Sequence, residues 1–183
     1  LRYEVSERMR ADGIVHVPLD EQELKEIAST LKAANIDCVA VCFLHSHAFP
    51  EHEERAAEIL RKNMPDEVSI MTSSMVYPEF REYERFSTTV LNAALLTVMN
   101  AYLDRLTKGV AEKGVAAEPT ISQSGGGLMS ATYSRRYPIR SALSGPAAGV
   151  LGAAYRAKAT NEANVITLDI GGTSADVSLL ANG

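Results

Sequence analysis

The 183-residue chain is 46% hydrophobic and 22% charged, an ordinary globular balance with room for one domain or for one domain and part of another. Its net charge of −5 argues against nucleic acid or an anionic membrane as an electrostatic partner. The longest apolar runs, CVAVCFL and VLNAALLTVM, stop well short of the roughly 20 residues that a membrane span needs.

The opening LRYEVSERMR has no initiator Met and no leader-like apolar segment, and it reads as the middle of a longer chain. The first predicted helix lies in PLDEQELKEIASTLKAANI. Asp20 and Glu23 have capping-box spacing there, and Leu24, Ile27, Ala28 and Leu31 share one face. IDCVAVCFL follows as a nearly all-apolar run, expected to be a strand buried on both faces. Cys38 and Cys42 share one face of it with Ala40 between them, too far apart for an easy disulfide along an extended strand. Both are expected as buried, reduced thiols, which fits a cytoplasmic setting.

PEHEERAAEILRKN predicts a second helix, with Pro50 at its first position, Glu51, Glu53 and Glu54 at the positive end, and Arg61 and Lys62 at the other. EVSIMTS predicts a second strand, so residues 36–72 form a βαβ unit with a parallel pair and the fold class is α/β. A long helix is then expected over about 85–113. Its apolar stripe is Leu91, Ala94, Leu95, Val98, Met99, Tyr102, Leu103 and Leu106, and Gly114 is its stop. Beyond it, PTISQSGGGLMSA reads as a short strand running into three glycines. RSALSGPAAGVLGAAYRAKAT reads as a small-residue helix introduced by Ser144, Gly145 and Pro146. Residues 165–180 are expected to form a β-hairpin that turns at Gly171 to Ser174.

Chemistry concentrates at that last turn. GxxxxGK[ST] is absent, and GPAAGVLG lacks dinucleotide-loop spacing. DIGGTSAD remains, and it has two readings. As an anion site, consecutive glycines bare peptide N–H groups, Thr173 and Ser174 add hydroxyls, and Asp169 belongs there if Mg²⁺ lies between it and a phosphate, usually through water. As a plain hairpin, Gly171 and Gly172 supply positive φ while Asp169 and Asp176 are merely solvated. Elsewhere, His45, His47 and His52 with Glu51 and Glu53 suggest polar capping of the strand–helix junction ahead of a metal site. REYER (81–85) suggests intrahelical ion pairs ahead of substrate contact. Arg85 with Thr88, Thr89 and Asn92 forms a polar helical face that solvation alone does not explain. The loops at Ser124 and Gly126 and at Ser144 and Gly145 either approach a ligand or permit close packing.

TLDIGGTSADVSLL is similar to the second phosphate motif of the superfamily that contains actin, sugar kinases and heat-shock ATPases. With AVCFLHSHAFPEHE, REYER, STTVLNA, QSGGGL and SGPAAGVLGA, it makes the chain resemble the hydantoinase A and 5-oxoprolinase family from Arg2 to Gly183. Two departures stand out: Gly125 where the family commonly has Asn, and LNAALLTVMNAYL, more apolar than the family's helix, which often carries a Pro. The resemblance implies an actin-like (ribonuclease H-like) ATPase fold. Residues 1–114 would end a first ATPase-like domain with its connecting helix, and 115–183 would begin a second domain that carries the phosphate motif. It also implies a central fragment holding one of two jaws of a nucleotide cleft, with the earlier phosphate motif outside the chain. ATP and Mg²⁺ are the implied cofactors. Asp169 would orient the metal through water, with Gly171, Gly172, Thr173 and Ser174 on the phosphates and Arg85, Thr88, Asn92, Ser124, Gly126, Ser144 and Gly145 as cleft candidates. The implied reaction is ATP-dependent opening of a small cyclic amide, a hydantoin or 5-oxoproline, in a protein that works with a B-type partner subunit. The alternatives are an ATP-dependent ketone carboxylase subunit and a non-catalytic interaction domain.

Overall fold

A computed structural model of the protein describes residues 1–182 and divides into two compact units, Leu1–Val98 and a second that begins at Met99. The architecture is mixed α/β, with four two-stranded sheets among the described residues.

The first unit opens with a short antiparallel pair, β1 (Arg8–Met9) and β2 (Val15–Val17), which the sequence pattern did not suggest. α1 (Glu21–Ala33) is capped by Asp20, whose carboxylate accepts from the N–H groups of Gln22 and Glu23. Glu23 does not complete a capping box. It accepts instead from the Ser6 N–H at 2.6 Å and the Ser6 hydroxyl at 3.0 Å. β3 (Cys38–Val41), α2 (Glu51–Asn63) and β4 (Ser69–Thr72) form the expected βαβ unit, with β3 and β4 parallel and Cys38 opposite Ser69. Leu24, Ala28 and Leu31 of α1 share a core with Ala56, Ile59 and Leu60 of α2 and with Val41 and Ile70 of the strands. Residues 38–40 of β3 are only partly covered, while its partner β4 buries Ile70, Met71 and Thr72 in succession. β3 is fully buried only at Val41, and Cys38 and Cys42 are half-buried free thiols instead of the buried ones expected.

α3 (Ser73–Val76) follows β4 directly. α4 (Glu82–Glu112) is the expected long helix, and it stops just before Gly114, where φ is +75°. Its orientation corrects the sequence reading. Leu91, Leu95, Val98 and Tyr102 of the apolar stripe are exposed, Val98 at 70%, whereas Arg85, Thr89 and Asn92 are wholly buried in the first unit. With 31 residues and a stretch of mean hydropathy 1.2, α4 also reaches the length and apolarity of a bilayer-crossing helix, which the broken apolar runs do not suggest; a core helix passes the same test.

In the second unit, β5 (Thr120–Ser122) and β6 (Leu128–Ser130) form an antiparallel hairpin around the glycine loop, with Gly126 at φ +87° and Gly127 at +80°. α5 (Ala131–Arg136), capped by the Ser130 hydroxyl, and a 3-10 turn at Pro138–Ser141 lead to α6 (Ser144–Thr160). Asn161, in left-handed conformation at φ 57°, ends α6. β7 (Asn164–Ile170) and β8 (Ala175–Ala181) then form the C-terminal hairpin.

Candidate functional site

β7 and β8 pair in continuous register from Asn164 opposite Ala181 to Ile170 opposite Ala175. Partners across an antiparallel ladder point to one face. Val165, Thr167, Ser178 and Leu180 therefore line one face, half-buried, while Ile166, Leu168, Ile170, Val177 and Leu179 are exposed on the other. Asp169 and Asp176 continue the first face as a directly opposed pair, and both are exposed. Two like charges in that position repel unless a cation lies between them.

The turn closes with a hydrogen bond from the Gly171 N–H to the Ser174 carbonyl at 2.9 Å. That bond engages one of the donors expected for phosphate. Among the described residues, the N–H groups of Gly172, Thr173 and Ser174 have no partner within the chain. The Ser174 hydroxyl donates to Asp176 Oδ2 at 3.4 Å. Neither Gly171 nor Gly172 has positive φ, so the plain-hairpin reason for two glycines does not hold. Nor is space short: a Cβ on Gly172 would meet nothing within 4 Å, and one on Gly171 only the Ser174 carbonyl at 3.7 Å. What the glycines achieve is a bare rim of N–H groups beside two carboxylates.

α6 fixes where that rim lies. Its 17 residues run about 25 Å and the 7 residues of β7 about 23 Å, with only a tight left-handed turn between them. The strand therefore returns toward the N-terminal end of the helix it packs against. Ser144, half-buried, and Gly145, exposed, lie in the first turn of α6. The Ser124 N–H and hydroxyl both donate to the Arg140 carbonyl at 2.7 Å, tying the glycine loop to the segment just before α6. Gly126 faces Leu151 of α6, where an added Cβ would come within 3.3 Å. The second unit thus ties the Ser124 loop to the segment before α6, packs Gly126 against the middle of that helix and places Ser144 and Gly145 in its first turn. Ser124 is engaged and Gly126 serves packing; Gly145 is open.

Arg140 itself was not among the sequence candidates. Its guanidinium lies 5.8 Å from the Tyr133 ring centroid and 5.9 Å from that of Tyr137. The signal was available in YSRRYPIR, a basic and aromatic stretch with no carboxylate.

The first unit treats its candidates differently. Arg85 Nε donates to the Ser73 hydroxyl at 3.1 Å, and its terminal nitrogens donate to the carbonyls of Glu79 at 2.6 Å and Phe43 at 3.0 Å. Glu53, also wholly buried, accepts from the Phe43 N–H at 2.8 Å, the Ser73 hydroxyl at 2.6 Å and the Ser74 N–H at 2.8 Å. Thr89 donates to the Arg85 carbonyl at 2.7 Å, Asn92 is buried and Thr88 is half-buried. This is a structural network, with the Arg85 guanidinium turned inward. No side chain caps α2, against the capping expected of the histidines: His45 takes φ 61° in the turn, and His52 Nδ1 meets Glu7 at 2.8 Å. No cluster of three or more His, Cys, Asp or Glu suited to a metal occurs among the described residues. Burial, reinforced by the Glu53 charge, pushes the Cys42 thiol up to about 12.

Comparison with known proteins agrees with the motif reading. Residues 85–183 match the hydantoinase/oxoprolinase model and residues 1–64 the hydantoinase/oxoprolinase N-terminal region. The chain is 35% identical over its whole length to 26% of the caprolactamase alpha subunit of Pseudomonas jessenii. It is 36% identical over 90% of its length to 12% of the 5-oxoprolinase of Saccharomyces cerevisiae. Among solved structures, the ATP-dependent caprolactamase of Pseudomonas jessenii superposes with a TM-score of 0.86 at 35% identity, over 96% of this chain and 25% of that one. Nucleotide-free acetone carboxylase superposes with a TM-score of 0.84 at 30% identity, over 97% of this chain and 25% of that one. The chain thus spans between 12% and 26% of the length of these relatives.

Proposed function

The chain belongs to the hydantoinase/oxoprolinase family, and from that premise we propose that it forms one side of the phosphate site in an ATP-dependent enzyme that opens a small cyclic amide. The carrying observation is the turn after β7, where two glycines required by neither backbone handedness nor packing leave N–H groups bare beside opposed carboxylates.

An amide carbonyl is a poor electrophile because its nitrogen donates into it. ATP with Mg²⁺ would supply a phosphoryl group to the carbonyl oxygen and so activate the carbon for water. Ring opening then requires the C–N bond to break, the nitrogen leaving as the amine with a proton from that water. The acyl phosphate left behind is hydrolysed to the open-chain acid and inorganic phosphate. Catalysis of such a transfer rests on positioning and charge neutralisation. The donor set fits. Asp169 and Asp176 offer hard oxygens of the kind Mg²⁺ takes, directly or through water. The N–H groups of Gly172, Thr173 and Ser174 and the Thr173 hydroxyl would donate to phosphate oxygens, held by a turn that the Gly171–Ser174 bond closes. Gly171 contributes by lacking a side chain.

Incubating the full-length protein with ATP, Mg²⁺ and in turn 5-oxoproline, hydantoin and caprolactam, and following phosphate release with ring opening, tests this reading. Lactam-dependent phosphate release supports it; none with any lactam contradicts it. The 0.84 superposition on acetone carboxylase favours a second reading, ketone carboxylation, which predicts phosphate release dependent on a ketone and bicarbonate. Under either reading we place the protein in the cytoplasm, consistent with its two free thiols, and pair it with a B-type subunit. The subunit names of the relatives support the pairing.

A further inference from the structure

Resting on that phosphate-site reading, we propose that Arg140 is an anion-recognising residue of the site. Its guanidinium takes a terminal oxyanion, either a phosphate of the nucleotide or a carboxylate carried by the cyclic amide.

The charge pattern is the first support. The chain as a whole carries −5, yet residues 119–161 contain no Asp or Glu and five cations: Arg135, Arg136, Arg140, Arg156 and Lys158. Arg135 is engaged, 2.7 Å from Asp104. Arg140 is exposed, and among the described residues its guanidinium has neither a carboxylate partner nor a hydrogen-bond acceptor. An exposed Arg with no anion at hand ordinarily waves in solvent. This one is held against two rings, Tyr133 and Tyr137, whose centroids lie 4.7 Å apart.

At 5.8 Å and 5.9 Å from the ring centroids the contact is of cation–π type, and it uses none of the guanidinium N–H groups as hydrogen-bond donors. The two rings bias where the guanidinium sits before a ligand arrives, which lowers the cost of ordering it on an oxyanion. Location is the second support. The Arg140 carbonyl holds Ser124 through two bonds of 2.7 Å, so the residue cannot shift without the glycine loop, and α6 begins four residues later. The cation therefore belongs to the same end of α6 toward which β7 returns the glycine turn. Asp169 and Asp176 make that turn acidic. A cation at that end would supply charge complementarity for an anion that carboxylates alone would repel.

The test is calorimetry on the full-length protein with inorganic pyrophosphate and, separately, 5-oxoproline, comparing wild type, Arg140→Gln and Arg140→Lys, each with its melting temperature. The proposal expects Arg140→Gln to weaken at least one anion about tenfold or more, with Arg140→Lys recovering part of the loss because it keeps the charge without the fork. Loss confined to pyrophosphate assigns Arg140 to the nucleotide, and loss confined to 5-oxoproline assigns it to the substrate carboxylate. Wild-type affinity for both anions in Arg140→Gln, or no binding of either by the wild type, overturns the proposal. Turnover is not read, so an Arg140-dependent anion site in a protein that opens no lactam would contradict the proposed reaction and leave this inference standing.

Discussion

Glu53 of α2 and Arg85 of α4 meet at one hydroxyl: Ser73 donates to Glu53 Oε1 at 2.6 Å and accepts from Arg85 Nε at 3.1 Å. Both charged side chains are wholly buried; each also bonds Phe43 in the segment between β3 and α2, and Glu53 further accepts from the Ser74 N–H of α3 while Arg85 donates to the Glu79 carbonyl beyond it. Removing one partner strands the other charge away from water, which costs about 3–5 kcal/mol. Arg85→Met and Glu53→Gln are each expected to lower the urea midpoint sharply. The double variant should lose less than the sum, because neither charge is then left alone. Full additivity would mean that the two charges do not act through Ser73.

Gly172→Ala separates the turn from its ligand. The residue lacks positive φ and an added methyl meets nothing, so the fold should keep its stability to within about 0.5 kcal/mol. The methyl nevertheless projects from the N–H rim, and nucleotide affinity of the full-length protein should fall severalfold. Unchanged nucleotide affinity would remove Gly172 from the site.

Asp176→Asn tests the opposed carboxylates. Without a cation the substitution relieves a like-charge pair, so the melting temperature should rise slightly, by the equivalent of about 0.2–1 kcal/mol. With saturating Mg²⁺ and ADP the order should reverse, because the wild type gains more from a cation that both carboxylates share. Melting curves with and without Mg²⁺–ADP check both halves.

Cys42 should be nearly inert at neutral pH, since burial and the Glu53 charge hold its thiol near 12 and leave almost no thiolate. Iodoacetamide at pH 8, followed by peptide mass spectrometry, should modify Cys42 far more slowly than an unstructured thiol. Alkylation at the rate of a free thiol would show that the strand end opens readily.

Much of this was legible in the sequence. The βαβ unit, the long helix and the C-terminal hairpin follow from periodicity and turn residues, and DIGGTSAD locates the candidate site. The face that α4 buries was not legible. Periodicity says that Leu91, Leu95, Val98 and Tyr102 share a side, but not whether anything covers it. Arg85, Thr89 and Asn92 face inward because Ser73 and the Phe43 and Glu79 carbonyls, distant in sequence, meet the guanidinium. Which turn N–H groups are bare was equally hidden, since the Gly171–Ser174 bond depends on register. Arg140 drew no notice because its stacking partners are recognisable only once α5 and the 3-10 turn bring Tyr133 and Tyr137 together.

The most direct test of the account is Asp169→Asn in the full-length protein, with melting temperature and ATP-dependent lactam opening measured on one preparation. Asp169 is exposed and its replacement nearly isosteric, so stability should change by no more than about 0.5 kcal/mol. A charge that organises Mg²⁺ at the transferring phosphoryl group should, when lost, lower turnover about 100-fold or more. An unchanged fold with collapsed turnover is the predicted result. Near-wild-type turnover in Asp169→Asn would contradict the account and leave the turn after β7 as a solvated hairpin.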